Sequence, residues 1–197
     1  MKTVYRPEEW AAWSDRYRAQ FFNSLYGGRL VAMLCTETEQ GANVCPVSQI
    51  LHVGASPASV GILLRPESDR HQTRALLDAK RPTSLHWMPS EKVYEAHQCS
   101  AAYPAHASEA EAVGWTFHPY PMSSLEEALI SVQLDWKETH PLFNGTALYV
   151  FHLTSIQASI APLEDGFWDF QGGLLHSQGL DHYGRFESES ALPYARP

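Results

Sequence analysis

Charged residues are few in this 197-residue chain: they make up 18% of it, against 44% hydrophobic residues. That balance excludes a disordered or purely solvating chain. Cysteine is scarcer still. Cys35, Cys45 and Cys99 form an odd set with no CxxC spacing, which excludes a disulfide framework and reads as reduced, mostly buried thiols in a cytoplasmic protein. Long hydrophobic runs are missing. The longest uncharged apolar stretch, Ser59 to Leu64 with its neighbours, is far too short to span a bilayer, so no membrane association is expected. The stretch Met1–Glu9 lacks the apolar core of a secretory signal. Basic residues are outnumbered, 14 Lys and Arg against 22 Asp and Glu, for a net charge of −8. With the acidic residues scattered, nothing marks an electrostatic footprint for nucleic acid. Glycine and proline, 12 and 13 residues, are near ordinary usage, which excludes collagen-like and low-complexity classes.

Several catalytic signatures are absent as well. There is no HExxH, no GxSxG and no GxxxxGK[ST], and Gly27-Gly28 lacks a third glycine at dinucleotide spacing and a strand before it. Ten histidines are present, but no spacing favours a metal. His97 and Cys99, two residues apart, do not share a helix face. No metal is expected.

What remains is a chain long enough to bury roughly 70% of the surface it exposes unfolded, hence one domain with its own core. Residues 1–28 predict a helix: Pro7 suits its first turn, Glu8 and Glu9 its positive end, and Gly27-Gly28 its stop. Trp10, Trp13, Tyr17, Phe21 and Leu25 make one apolar stripe suited to docking on a core or partner subunit. The period then changes. Leu30–Thr36, Val44–Val53 and Ser59–Leu64 read as strands divided by turn material, the pattern of a meander or barrel wall. Thr73–Lys80 predicts a short helix with Ala75, Leu76, Leu77 and Ala79 inward, and Thr83–Met88 another strand. Pro89–Cys99 and Ser108–Val113 predict helices capped by Ser90 and Ser108. Two long stretches, Ser124–Lys137 and Gly145–Ser159, flank the hairpin signal Asn144-Gly145. Residues 160–197 are turn-rich and read as a wrapping tail. The sum is one mainly β domain, residues 1–197, with peripheral helices.

One constellation carries chemistry. Asn43 to Ile50 sets small and polar residues inside an otherwise apolar strand, and Pro46 places that segment at an edge or bulge. The edge at Pro46, Val47, Ser48 and Gln49 offers backbone donors and acceptors that match the pyrimidine side of a flavin ring. Arg65, Arg70, His71, Thr73 and Arg74 then gather at the start of a short helix, an arrangement suited to an anion. A ring-binding edge followed by a cationic helix start describes a mononucleotide pocket. The same residues also fit a solvated surface, so composition and spacing alone leave both readings open.

From Tyr17 onward the sequence resembles the flavin reductase-like family. The resemblance lies in Asn43–Ser48 with Pro57, Gly61 and Arg65-Pro66, in His71-Gln72-Thr73, and in Ser100–Pro104 followed by Val113–Thr116. It continues through Asn144–Thr146 and Gly179–Tyr183 to the ending Leu192–Pro197. It implies the FMN-binding split β-barrel, a homodimer with FMN near the subunit interface, and NADH or NADPH as electron donor. Ser48 and Gln49 would then face the ring or its ribityl chain, and Arg65, His71 and Thr73 the phosphate, with Arg70 or Arg74 as a second cation. Gln49 is larger than the family's usual residue, and Ala75-Leu76-Leu77 replaces an expected Asn, which shifts the burden of phosphate binding to arginine. His176, His182 and Tyr183 of the tail are candidates for the substrate face over the ring. Two functions stay open: an NAD(P)H-dependent FMN oxidoreductase, serving a small-molecule acceptor or a partner oxygenase, and an FMN-binding electron carrier without nicotinamide turnover.

Overall fold

Seven antiparallel strands make the frame of the molecule, and the order of those strands explains its shape. The computed structural model describes residues 3–39, 41–66, 72–104, 107–119, 123–170, 173–179 and 181–186. Along the chain come α1 (Pro7–Ala11), α2 (Asp15–Ser24), β1 (Arg29–Leu30), β2 (Ala32–Thr38), β3 (Gly41–Val47), β4 (Ile50–Ala55), β5 (Ala58–Leu64), α3 (Thr73–Asp78) and β6 (Thr83–Trp87). A 3₁₀ turn (Ser90–Lys92) leads into α4 (Val93–Gln98), followed by α5 (Glu109–Ala112), β7 (Phe117–His118) and β8 (Ser124–Leu125). The last strands are β9 (Ile130–Pro141), β10 (Ala147–Ala158), β11 (Leu174–Gly179) and β12 (His182–Phe186).

The main sheet runs β3-β2-β6-β9-β10-β5-β4. Its two edge strands, β3 and β4, are joined only by Ser48-Gln49. Six spacings of about 4.8 Å would set the edges of a flat sheet about 29 Å apart. Three peptide steps from Val47 to Ile50 reach about 11 Å at most. The sheet must therefore curl until its edges meet at that corner, which yields a split barrel. Pro46 lies on the β3 edge, opposite Met33, where its missing N–H breaks no ladder. The stretch Val44–Val53, which the sequence suggests as one strand, is divided at this corner between opposite edges of the sheet.

Alternation along β2 and β3 feeds two cores. Leu34 and Val47 join Ile62, Leu85, Tyr149 and Phe151 inside the barrel. Met33, Cys35 and Val44 face outward under α4 and α5, against Ala96, Ala110 and Trp115. Each such aliphatic side chain contributes roughly 1.5–3 kcal/mol on burial. The Asn144-Gly145 signal closes the longest hairpin, β9–β10, with Gly145 at φ 81°. On β6, His86 is fully buried between two serines, Nε2 at 2.8 Å from the Ser84 hydroxyl and Nδ1 at 2.8 Å from that of Ser131.

Four local expectations need correction. The N-terminal segment is two helices, because the Ser14 side chain accepts from the Tyr17 N–H at 3.4 Å and starts a second helix there. Its aromatics pack on one another, with Trp13 and Phe21 rings 4.8 Å apart, while Leu25 is left exposed. In α3 only Thr73 and Leu77 are buried, because six residues present one i,i+4 pair inward; Ala75 and Ala79 are exposed. Ser90 starts the 3₁₀ turn instead of capping a helix, and its N–H donates to the Gly173 carbonyl at 3.2 Å. Within residues 160–197, β11 and β12 form a hairpin that pairs with β1 in a three-stranded sheet. The ending Leu192–Pro197 lies outside the described residues. No helix among the described residues is long and apolar enough to cross a membrane.

Candidate cofactor site

The corner where β3 gives way to β4 opens onto a cavity of about 450 Å³. One wall is the end of β3, with Cys45, Pro46, Val47 and Ser48. A second is the end of β5 and the start of α3, with Leu64, Arg65, Pro66, Thr73 and Arg74. His97, Cys99 and Ser100, at and just beyond the end of α4, form the third, and Ser177 and Tyr183 of the β11–β12 hairpin complete the enclosure.

Each wall is held by bonds behind it. The Thr73 hydroxyl donates to Asn43 Oδ1 at 2.8 Å and lies 3.4 Å from Cys45 Sγ. Asn43 Nδ2 donates to Glu109 Oε1 at 3.0 Å, and the Val44 N–H to Glu109 Oε2 at 3.0 Å. Glu109 is 6% exposed, so α5 carries a buried carboxylate whose oxygens are occupied by β3. The Tyr149 hydroxyl donates to Asp78 at 2.6 Å and fixes α3 to the sheet; burial, then this carboxylate, push that phenol up to about 12. Arg74 Nη1 donates to the Gly145 carbonyl at 2.7 Å and to that of Arg65 at 3.3 Å, while its Nε is buried with no partner among the described residues.

The thiols at the wall are poor nucleophiles. Burial pushes Cys45 up to about 11 and Cys99 up to about 12, and Glu109 adds to both shifts. Both stay protonated at neutral pH. The opposite side is aromatic: His97 Nδ1 lies 3.2 Å from the Tyr183 hydroxyl, with the two rings edge to face at 5.4 Å. Burial, then the charge of Asp181, raise the Tyr183 phenol. The cavity thus joins an irregular strand edge, a cationic end and a wall formed by His97 and Tyr183. Such a site is suited to a planar anionic ligand. The guanidiniums of Arg74 and the exposed Arg65 line this end and fit a phosphate, and the Pro46–Ser48 edge fits a ring with hydrogen-bonding groups along one side.

The structure gathers Pro46, Val47, Ser48, Arg65, Thr73, Arg74 and Tyr183 around one cavity. It does not bring Gln49 there. The corner turns Gln49 into a separate groove of about 810 Å³ together with Leu85, Trp87, Val132 and Leu153. His182 is on the other face of β12, paired with Asp181 at 3.0 Å and lining a cleft against Tyr17 and Phe21 of α2. His176 is bonded to the Leu174 carbonyl at 3.1 Å and does not line the cavity. Arg70 and His71 lie outside the described residues. Thr73 lines the wall, but its proton is committed to Asn43, so its part there is to brace the strand. Sequence reasoning missed His97 and Glu109. The first drew notice only as a failed metal ligand, and the second has nothing in its neighbourhood to mark it as buried.

Comparison with known proteins agrees with this geometry. The model of the flavin reductase like domain matches residues 28–173. A flavin reductase-type protein with a split barrel domain from Shewanella frigidimarina NCIMB 400 superposes with a TM-score of 0.88 at 27% identity, covering 98% of this chain and 100% of that one. Nitrilotriacetate monooxygenase component B from Bacillus cereus gives 0.81 at 16% identity over 98% and 99% of the two chains. Flavoredoxin from Methanosarcina acetivorans gives 0.68 at 15% over 84% and 88%. Among curated proteins no sequence matches.

Proposed function

This chain belongs to the flavin reductase like domain family, and from that premise we propose that it binds FMN in the cavity beside Ser48 and reduces it with NADH or NADPH. The family and its structural neighbours support a flavin-related oxidoreductase. The observation that carries the finer reading is the two-ended cavity: a strand edge at Pro46–Ser48, and Arg65 with Arg74 at the far end. FMN supplies the two-electron redox chemistry when bound. The chain's own residues bind and orient. Arg65 and Arg74 hold the phosphate through charge-assisted bonds. Ser48 and the backbone beside it meet the ring's polar side. Tyr183, steadied by His97, walls the space in which a nicotinamide or an acceptor would lie.

The groove that takes Gln49 supports a homodimer. β4 is a free sheet edge with Leu51 and Val53 about half exposed, and a second copy would cover it. One structural neighbour is a monooxygenase component, which supports delivery of reduced flavin to a partner oxygenase. Others are a flavoredoxin and an FMN-binding protein, which support the electron-carrier reading. The test is to purify the protein with FMN, record its visible spectrum, and add NADH or NADPH without oxygen. Rapid bleaching of the bound flavin by either donor is expected. A yellow protein that bleaches with neither is a carrier, and one that takes up no FMN overturns both readings.

A further inference from the structure

The β9–β10 hairpin ends in a tip that holds Phe143 fully in solvent, 102% exposed, with Leu142 beside it. The tip is rigid. The Leu142 N–H donates to the Thr146 carbonyl at 2.7 Å, the Gly145 N–H to the Leu142 carbonyl at 3.0 Å, and the Thr146 N–H to Asn144 Oδ1 at 3.1 Å. It is also fastened to the cationic end of the cavity. Arg74 holds the Gly145 carbonyl at 2.7 Å, and the Pro66 ring comes within 3.3 Å of where a Cβ on Gly145 would stand. Phe143 is two residues from Gly145, about 7 Å of backbone at most. An aromatic ring with no ring partner among the described residues therefore stands on a hydrogen-bonded support beside Arg65 and Arg74.

We propose that Phe143 is a stacking platform for an adenine base, so that the site extends to a flavin dinucleotide. This rests on the reading of the cavity as a flavin site with its phosphate between Arg65 and Arg74. A ligand whose chain continues past that phosphate, through a second phosphate and a ribose, leaves the cavity at the rim where the hairpin tip is anchored. Arg65, exposed at that rim, faces the added negative charge. The ring supplies what the rim otherwise lacks, a flat apolar face. Stacking is tolerant of base orientation and needs no hydrogen-bond partner, which suits a fully exposed ring.

The test measures FAD and FMN dissociation constants by calorimetry for the wild-type chain, Phe143→Ala and Phe143→Trp. FAD is expected to bind about tenfold more tightly than FMN, equivalent to about 1.4 kcal/mol. Phe143→Ala should bring the two within about twofold while leaving the FMN constant unchanged, and Phe143→Trp should keep the preference. Equal binding of both flavins by the wild type, or an FAD preference that survives Phe143→Ala, overturns the platform while leaving the FMN site standing. A chain that binds neither flavin overturns the cavity reading itself, and the platform with it.

Discussion

Two cavities meet at Ser48, and the smaller one is the better candidate for a ligand. The groove on the β4 side has about 810 Å³, the cavity on the α3 side about 450 Å³. The groove runs into apolar side chains of the barrel interior, and its one guanidinium, Arg29, donates through Nη2 to the carbonyls of Asn23 and Gln178, with its Nε and Nη1 buried and without a partner among the described residues. The cavity has two guanidiniums, Arg65 at its mouth and Arg74 on its wall, with walls fixed from behind by Glu109 and Asp78. Volume alone favours the groove. What separates them is convergence: the cavity gathers Arg65, Arg74, Ser48, His97 and Tyr183 around one space, whereas the groove offers one guanidinium beside an apolar wall. An apolar groove along a free strand edge is instead what another polypeptide covers.

The largest effect expected is on that contrast itself. Arg65→Ala with Arg74→Ala removes two charge-assisted bonds of roughly 1.5–3 kcal/mol each. FMN affinity, read by titration calorimetry, should fall at least about 100-fold, and the subunit mass in light scattering should not change. A double variant that keeps its FMN affinity would place the phosphate elsewhere. Next comes the wall behind the cavity. Glu109→Ala strands the Asn43 amide and the Val44 N–H in the core, at a cost of about 3 kcal/mol. Its urea midpoint should drop accordingly; an unchanged midpoint would mean that the Thr73–Asn43–Glu109 chain carries no stability. On the groove side, Leu51→Asp with Val53→Asp should weaken self-association by about 2 kcal/mol, roughly 30-fold. Light scattering should then give the monomer mass of 22.1 kDa, with flavin affinity changed less than in the arginine variant. If the wild type already runs at that mass, the groove is not a dimer face.

The sequence made one side of this contrast far easier to read than the other. The strands β2, β5, β6 and β10 announce themselves as apolar runs, and Asn144-Gly145 marks its hairpin, because those signals are local. Pro46 gave the edge for the same reason. The corner at Ser48-Gln49 is not local. Two polar residues look like any strand interruption, and only the closure of seven strands puts Ser48 on both cavities and Gln49 on the groove alone. The same limit hid Glu109. In the sequence it stands in a short acidic helix, Glu109–Ala112, and reads as a solvated cap; β3, 65 residues earlier, is what buries it. His182 and Tyr183 were equal candidates as neighbours in a tail, and pairing of β12 with β11 sends the two to opposite faces.

The last expected effect is spread over pH and belongs to the sheet that separates the two sides. Leu85 and Trp87 of β6 line the groove; the residue between them, His86, points the other way into a serine pair on β6 and β9. Burial lowers its imidazole from 6.5 to about 3, so the folded chain keeps it neutral while the unfolded chain protonates it below about pH 6.5. In that window the unfolded state binds the extra proton, and stability falls with falling pH. The loss is about 1.4 kcal/mol for each pH unit below 6.5, ends near pH 3, and is absent above 6.5. Urea midpoints at pH 7.5, 6.5, 5.5 and 4.5 should therefore be flat at first and then decline, and His86→Gln should remove that share of the slope. A variant with the wild-type slope would assign the acid sensitivity to other groups. Because the histidine sits behind the groove and away from Arg65 and Arg74, FMN affinity relative to the folded fraction should stay constant across the same window.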